Sequence, residues 1–277
     1  MIVGDYCHVV SMKPYEHLYI YEIEGEVKDE SLVSPHYIGC WNEGGSSFLF
    51  FRSDQRSLVE RFVLENGSIR LVDAYDMDYE QWQGGELAPF RVGSLWFHPP
   101  FETSTPPENC RDVPFDPGVV FGTGLHPTTL DCLHLLVDFF GRNRPKRVLD
   151  LGTGTGILAV AAALLGAEEV LAVDINRLSV NTARRNVELN GLEGKVEIVE
   201  GDARKAIEEE ADLALMNIHF DVLDAITDTE AFYRKKWVIL SGVLRSDYYT
   251  LLKKLQKRRR LVKERRTGHW FSAWFEA

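Results

Sequence analysis

Close cysteine pairs are absent from this sequence. Its four cysteines, Cys7, Cys40, Cys110 and Cys132, are widely separated, and no two of them form a Cys-x-x-Cys pair. This spacing argues against a zinc knuckle, which takes its ligands from such pairs. The simplest interpretation is a reduced chain that resides in the cytoplasm.

Long hydrophobic runs are absent as well. The longest apolar run, ILAVAAALLGA, is too short to cross the hydrocarbon core of a bilayer, which takes about 20 residues of helix. The first residues, MIVGDYCHVV, lack the basic start and the apolar core of a signal peptide. We therefore expect a cytoplasmic protein that has no membrane partner.

The chain also has no overall excess of positive charge. It carries 31 Lys and Arg against 42 Asp and Glu, for a formal net charge of −11, and a net-acidic chain is a poor general binder of nucleic acid. Nine of the fourteen residues from Lys253 to Arg266 are nevertheless basic. The run KRRR at 257–260 is expected to end a helix, where positive charge complements the macrodipole and is solvated. A weak contact with RNA through residues 253–266 is the alternative.

The length allows one large domain and a small one. The chain has 277 residues, of which 45% are hydrophobic. Residues 1–75 mix short alternating runs such as LYIYEIEGEV with one helical pattern, which predicts a small α+β domain for recognition or dimerisation. Residues 76–100 predict a linker and a lead-in strand, RVGSLWFHPPFE. Residues 101–277 form the third predicted segment.

Two local signals in the first hundred residues make sharper predictions. The helical pattern DQRSLVERFVLEN opens at Asp54, a plausible N-cap, and closes at Asn66-Gly67. The acidic linker sequence DMDYEQWQGGELAPF contains Gly84-Gly85, where the composition favours a hinge.

Regular alternation of strands and helices begins at Lys146. The strand-like runs are RVLDL, EVLAVDI, KVEIVEGD, ADLALMNI and KWVILSG, and helical patterns such as ILAVAAALLGA and LSVNTARRNVELNG separate the first of them. The helical pattern RSDYYTLLKKLQKRR follows, and a pair of strands around Thr267-Gly268 closes the chain. This order predicts an α/β fold with a Rossmann-like, mostly parallel, doubly wound sheet.

A glycine loop follows the first of these strands. In VLDLGTGTGILAV the glycines Gly152, Gly154 and Gly156 occupy positions one, three and five, and they let the backbone turn tightly and approach a ligand closely. A dinucleotide-binding fingerprint has its third glycine at the sixth position, which is Ile157 here. The spacing therefore argues against a nicotinamide-dependent oxidoreductase.

Acidic residues stand at the positions where a nucleoside would need them. Asp174 ends the second strand, where a carboxylate can accept hydrogen bonds from ribose hydroxyls. Asp150 precedes the first glycine by two residues, and Gly201-Asp202 follows the third strand. This set is similar to the motifs of class I methyltransferases, which use S-adenosylmethionine.

A second loop makes the resemblance specific. The stretch FDPGVVFGTGLHPTT, residues 115–129, resembles the signature of the ribosomal protein L11 methyltransferase family, a group of protein-lysine methyltransferases. The similarity continues through VLDLGTGTGILAVAAALLGA, VDIN, ARRNVELNG and MNI and covers roughly residues 80–277. In that family the loop covers the methionine part of the cofactor. The resemblance implies cofactor contacts at Phe121, Gly122, Thr123, Gly124, Thr129, Asp150, Gly152, Thr153, Gly154, Gly156, Asp174, Ile175, Asp202, Ala203 and Asn217.

The residues of this second loop also have a physical interpretation. Gly122 and Gly124 allow backbone conformations that turn N–H groups toward a ligand. Pro127 suits the first turn of a helix, and Thr128 or Thr129 can cap the helix or sit in its first turn. A helix-capping turn without a ligand is the alternative, but it leaves the two glycines without a purpose.

The acceptor side is predicted after the fourth strand. The resemblance implies that Asn217 holds the acceptor nitrogen through its side-chain carbonyl, and the family shares Asn-Ile at this point. His219 and Phe220 depart from the family pattern, which puts the identity of the substrate in doubt. His126 or His219 could relay a proton, although a lone histidine is more often structural.

Several functions stay open at this point. The leading hypothesis is methylation of lysines in ribosomal protein L11 or a related protein. A methyltransferase for another protein, such as the electron-transfer flavoprotein β-subunit, or for a small amine keeps the chemistry and changes the substrate. An NAD-dependent oxidoreductase and a non-catalytic binding module are the rivals of other classes.

Overall fold

The N-terminal part forms an antiparallel sheet with one helix. The computed structural model describes residues 13–28 and 31–277, so Cys7 and the N-terminal MIVGDYCHVV lie outside the described residues. Four strands pair in the order β2-β3-β1-β4. The elements are β1 (His17–Glu24), β2 (Tyr37–Glu43), β3 (Ser46–Phe51), α1 (Arg56–Glu65) and β4 (Arg70–Asp78).

The capping of helix α1 differs from the prediction by one residue. Gln55, and not Asp54, occupies the N-cap position, and its side chain makes no capping hydrogen bond. The Asp54 carboxylate instead accepts the backbone N–H of Arg56 at 2.8 Å and the hydroxyl of Tyr21 at 2.7 Å. Asp54 therefore satisfies a backbone N–H of the first turn from the position before the N-cap. The same carboxylate also binds Tyr21 of the neighbouring strand β1. The predicted end at Asn66 is confirmed.

A short helix and a small sheet follow. Helix α2 (Tyr79–Gln83) precedes β5 (Phe90–Val92), β6 (Leu95–His98) and β7 (Arg111–Pro114), which pair in the order β5-β6-β7. The single strand predicted for RVGSLWFHPPFE is wrong, because Gly93 turns the chain with a φ of 60° and makes an antiparallel hairpin. The predicted domain boundaries stay a prediction, although β4 runs across position 75.

The C-terminal part is a seven-stranded sheet with helices on both faces. The strand order is β10-β9-β8-β11-β12-β14-β13, in which β10 to β12 run parallel and β14 is antiparallel to both its neighbours. The strands are β8 (Arg147–Leu151), β9 (Glu169–Asp174), β10 (Val196–Glu200), β11 (Leu213–Asn217), β12 (Trp237–Leu244), β13 (Arg260–Thr267) and β14 (Trp270–Glu276). The predicted mostly parallel α/β fold and the closing strand pair are confirmed.

Seven helices flank this sheet among the described residues. They are α3 (Pro127–Phe140), α4 (Ile157–Leu165), α5 (Arg177–Leu189), α6 (Ala203–Ala206), α7 (Phe220–Thr227), α8 (Glu230–Arg234) and α9 (Arg245–Leu255). One apolar core joins the sheet to α3, α4 and α5, and another joins it to α7, α8 and α9. Burial on both faces explains why the parallel strands are continuous apolar runs. Their carboxyl ends meet at one edge, where ligands bind in open α/β sheets.

The basic run of residues 253–266 begins inside α9 and is largely neutralised within the protein. The helix ends at Leu255, before the KRRR sequence, so the prediction that KRRR ends the helix is wrong. Arg259 is buried and donates to the carbonyls of Phe232 and Lys235, which also contradicts its prediction as a solvated charge. Five other basic side chains of the run form ion pairs: Lys254, Arg258, Arg260, Lys263 and Arg265. The RNA contact stays a prediction.

Within residues 13–28 and 31–277, none of the helices has the length and apolar character that crossing a membrane requires.

The packing around Phe139 makes a prediction about stability. Its fully buried ring meets the rings of Phe140, Trp237 and Trp274 edge to face, at centroid distances of 5.4, 5.2 and 5.2 Å. Because the Phe139→Ala variant loses these contacts and leaves a cavity, we expect urea denaturation to show a loss of about 3–5 kcal/mol of unfolding free energy.

The matched control is Leu64→Ala on α1, a large apolar side chain that is 85% exposed. We expect it to change the unfolding free energy by less than about 0.5 kcal/mol. Similar losses in the two variants would contradict the assignment of Phe139 to the core.

Candidate active site

The glycine loop connects β8 to α4 under close steric limits. Gly152, Gly154 and Gly156 have φ values of 71°, 54° and 82°, which disfavour residues with a Cβ. A Cβ on Gly152 would lie 2.1 Å from Cγ2 of Ile218, and one on Gly154 would lie 2.6 Å from the carbonyl oxygen of Phe121. The loop is therefore pressed between the end of β11 and the FDPGVVFGTGLHPTT loop.

Asp174 joins the end of β9 to this glycine loop. Its carboxylate accepts the backbone N–H of Gly154 and of Asn176, both at 2.9 Å. Burial raises the pKa of Asp174 above its ordinary value. A carboxylate oxygen has two acceptor sites, so Asp174 retains capacity for the hydroxyls of a ligand.

The ends of β9 and β10 contribute an exposed apolar side chain and a second acidic side chain. Ile175 directly follows Asp174 and is 72% exposed, which is unusual for so large an apolar side chain. Asp202 follows β10 and caps α6, whose first residue is Ala203, by accepting the N–H of Arg204 at 2.9 Å. The Gly201 N–H donates to the Asp174 carbonyl at 2.9 Å, so these two strand ends adjoin.

A buried carboxyl group lies beneath the loop. Asp150 is 1% exposed, and its Oδ2 accepts the hydroxyl of Thr153 at 2.6 Å. Its Oδ1 lacks a partner of normal hydrogen-bond geometry among the described residues. Burial raises the pKa of Asp150 to about 7. Asp150 thus ties the end of β8 to the glycine loop through its bond with Thr153.

The FDPGVVFGTGLHPTT loop, residues 115–129, lies against the glycine loop. The carbonyl of Phe121 accepts the N–H of Thr155 at 3.2 Å, and the carbonyl of Gly122 accepts the Thr155 hydroxyl at 2.8 Å. Gly124 has a φ of 87°, and a Cβ there would meet the ring of Phe90 at 2.2 Å. Thr123 accepts the N–H of Leu125 at 3.2 Å and so shapes the same turn.

Asn186 on α5 links the two loops and had no predicted role. Its Nδ2 donates to the carbonyls of Asp116 and Thr155 at 2.7 and 2.8 Å, and its Oδ1 accepts the N–H of Asp116 at 2.8 Å. Thr155 was also missed. Both lie inside motifs that carried the resemblance, ARRNVELNG and LGTGTG, but only the folded contacts show what their side chains do.

The first turn of α3 is capped by a histidine. Pro127 occupies the first turn as predicted, and Thr128 and Thr129 follow it in that turn, which is one of the two places predicted for them; neither of them is the cap. His126 is the N-cap, and its Nδ1 accepts the N–H of Thr128. The His126 ring lies edge-on to Phe121 and to Trp270, with centroid distances of 5.0 and 5.3 Å. Partial burial lowers the pKa of His126.

Asn217 brings the end of β11 to the same place. Its Nδ2 donates to the hydroxyl oxygen of buried Thr129 at 3.4 Å, which leaves the amide oxygen to face another partner. Ile218 packs against Gly152, as described above. The His219 side chain is 82% exposed and has its Nε2 3.6 Å from Glu43 of the N-terminal sheet, so it faces that sheet and not Asn217.

The structure thus gathers the predicted site at the carboxyl edge of the sheet. The glycine loop binds Asp174 on one side and the loop of residues 115–129 on the other, and Thr129 of that second loop binds Asn217. Asp202 stands at the next strand end. Within residues 13–28 and 31–277, no cluster of three or more His, Cys, Asp or Glu side chains is suited to hold a metal ion.

The strand order, the glycine loop and the acid after β9 define the fold as that of a class I methyltransferase. A solved structure that shares it is a ribosomal protein L11 methylase from Lactobacillus delbrueckii subsp. bulgaricus, with a TM-score of 0.60 and 26% identity over 68% of this chain and 97% of that one. The chain belongs to the ribosomal protein L11 methyltransferase (PrmA) family, whose profile matches residues 52–276. This match begins well before residue 80, where the similarity was expected to start.

Two individual relatives carry the name of the same family. A ribosomal protein L11 methyltransferase of Heliobacterium modesticaldum is 39% identical over 154 residues, 55% of this chain and 48% of that protein. One from an Exiguobacterium species is 37% identical over 219 residues, 75% of this chain and 68% of that protein. The matched segments thus span about half to two thirds of the length of these two relatives.

The raised pKa of Asp150 predicts a pH-dependent stability. The folded state binds this proton more tightly than the unfolded state, whose carboxyl titrates near 3.8. The stability that protonation provides is therefore fully present below the unfolded pKa and is lost as the pH rises through the folded value. We expect the unfolding free energy of the wild type, relative to Asp150→Asn, to fall between pH 3.8 and about pH 7.

Urea denaturation of both proteins across this pH range makes the comparison. The isosteric Asp150→Asn variant carries every other titrating group, so the difference between the two curves isolates Asp150. A difference that does not change with pH would contradict the raised pKa.

Proposed function

We propose that this protein is an S-adenosylmethionine-dependent methyltransferase that methylates lysine amino groups of ribosomal protein L11 or a related protein. The observation that carries the proposal is the contact between Asn217 and Thr129. It joins the predicted acceptor residue to the helix that the cofactor loop opens. Family membership supports the same reaction, because the relatives are named for it.

The residues present fit the cofactor. Asp174 offers carboxylate oxygens for the ribose hydroxyls, and exposed Ile175 offers an apolar surface for the adenine ring. Gly152 and Gly154 have positive φ values, which give the loop a backbone conformation that a ligand can approach closely. Phe121 to Gly124 would cover the methionine part, as the family resemblance implies.

Methyl transfer requires that the acceptor amine be neutral and correctly oriented. When bound, S-adenosylmethionine supplies an electrophilic methyl group. A lysine amine attacks only when it is neutral, and its free pKa is about 10.4, so the site must desolvate the amine or favour loss of its proton. The Asn217 carbonyl can orient the lone pair and stabilise the charge that develops on nitrogen. Orientation of this kind contributes much of the acceleration in transfer reactions.

His126 stays a predicted proton relay, and its geometry limits that role. Its Nδ1 lies 2.8 Å from the hydroxyl oxygen of Thr128 and 3.4 Å from the Thr128 backbone nitrogen, so this ring nitrogen is occupied at the start of α3. The capping bond therefore favours Asn217 over His126 as the residue on which methyl transfer depends.

We expect Asn217→Ala to lower methyl transfer about 100-fold. The measurement is transfer of a radiolabelled methyl group to purified ribosomal protein L11, together with calorimetric titration by S-adenosylhomocysteine. The fall in transfer should exceed any fall in cofactor affinity, because the lost group orients the amine in addition to the cofactor contact that the resemblance implies for it. The electron-transfer flavoprotein β-subunit, assayed in parallel, separates the two candidate substrates.

Asn143→Ala is the matched control. Asn143 also donates one side-chain hydrogen bond, to the carbonyl of Phe139, but it lies beyond the other end of α3. Full transfer by Asn217→Ala with unchanged cofactor affinity would refute the assignment of the acceptor residue. Absence of transfer to either protein, with the cofactor bound, would redirect the search to other amines.

A further inference from the structure

Helix α2 is attached to the segment that leads into the cofactor loop. The hydroxyl of Tyr79 donates to the carbonyl of Gly118 at 2.7 Å, and Nε2 of Gln83 donates to the same carbonyl at 2.6 Å. The indole N–H of Trp82 donates to the carbonyl of Val119 at 3.2 Å. Three side chains of this short helix therefore hold two consecutive peptide groups.

The Gly118 carbonyl has no access to water that could replace these donors. Gly118 is buried, and its N–H donates to the carboxylate of buried Asp116 at 2.9 Å. Its φ is 57°, and a Cβ would lie 3.0 Å from Oγ1 of Thr182 on α5. Asp116 is in turn paired with Arg185 on α5 at 3.2 Å. Loss of the donors from α2 would leave a buried carbonyl unsatisfied.

The next two residues are held by the N-terminal sheet. Val119 and Val120 are buried in one apolar cluster with Leu18, Ile20 and Phe50, three residues of strands β1 and β3. The two residues after them, Phe121 and Gly122, bind Thr155 of the glycine loop, as described above. Residues 118–120, which α2 and the N-terminal sheet hold in place, therefore lead directly to the two residues that contact the glycine loop.

We propose that Tyr79 and Gln83 are positioning residues for the cofactor loop. By holding the Gly118 carbonyl they fix the segment 118–120, and this segment places Phe121 and Gly122 against Thr155. Docking of α2 on this segment therefore sets the affinity of a cofactor site to which α2 itself contributes no residue. The proposal rests on the proposed function, since it takes the loop of residues 115–129 as the cofactor wall.

Substitutions at these two positions separate the donor from the size of the side chain. Tyr79→Phe keeps the ring and removes the hydroxyl. Gln83→Glu keeps the shape and replaces the donor by acceptors, whereas Gln83→Lys supplies a donor again. The Tyr79→Phe/Gln83→Glu variant should bind S-adenosylhomocysteine about tenfold more weakly, and Tyr79→Phe/Gln83→Lys should recover most of this loss.

Enzyme kinetics distinguish a loss of loop positioning from a general loss of stability. Because the lost contacts support cofactor binding and not the transfer step, KM for S-adenosylmethionine should rise while kcat at saturating cofactor stays near the wild-type value. The control is Tyr21→Phe. It removes a partly buried tyrosine hydroxyl that binds Asp54 and Gln55 at the start of α1, away from the loop. It should lower thermal stability without changing cofactor affinity.

Amide hydrogen exchange tests the positioning without any ligand. The amides of residues 119–124 should exchange faster in Tyr79→Phe/Gln83→Glu than in the wild type or in Tyr21→Phe. Equal exchange rates and equal affinities would overturn the proposal. If the wild type itself does not bind S-adenosylhomocysteine, the proposed function fails, and the exchange rates alone then decide the positioning: faster exchange supports it, and equal exchange overturns it.

Discussion

The site depends on the contact between two loops that are separate in the sequence. Thr155 binds the carbonyl of Gly122 through its hydroxyl and the carbonyl of Phe121 through its N–H. Gly154 lies so near the Phe121 carbonyl that a Cβ would not fit. This back-to-back packing makes one wall from the glycine loop and the loop of residues 115–129. The cofactor side of the site, the capped start of α3 and the Asn217–Thr129 contact are all arranged around it.

Much of this arrangement was predictable because its signals are local. The strand, glycine loop, helix and acid follow one another in one continuous segment of sequence. The apolar runs of the parallel strands follow from burial on both faces of the sheet. Positive φ values at Gly152 and Gly154 explain residue types that the sequence displays directly. The mostly parallel fold and the assembly of Asp174 with Gly154 belong to this predictable part.

What sequence reasoning missed depends on contacts between distant residues. Asn186 binds Asp116 across 70 positions, and no pattern within α5 distinguishes it from a solvent-facing asparagine. His126 caps α3 although two threonines, whose hydroxyls are the commoner capping groups, follow it closely. Arg259 belongs to a basic run that suggested solvent, and only the fold shows the two carbonyls that it binds.

Calorimetric titration with S-adenosylhomocysteine of the wild type, Gly154→Ala and Gly191→Ala tests the packing of the two loops most directly. Gly154 and Gly191 have similar φ values, 54° and 63°, but a Cβ on Gly191 would meet nothing within 4 Å. Both substitutions therefore place a Cβ on a residue with positive φ. Only Gly154→Ala also introduces a clash between the two loops. The account predicts that the wild type and Gly191→Ala bind alike while Gly154→Ala loses at least about tenfold in affinity. Equal binding by Gly154→Ala, or no binding by the wild type, would contradict it.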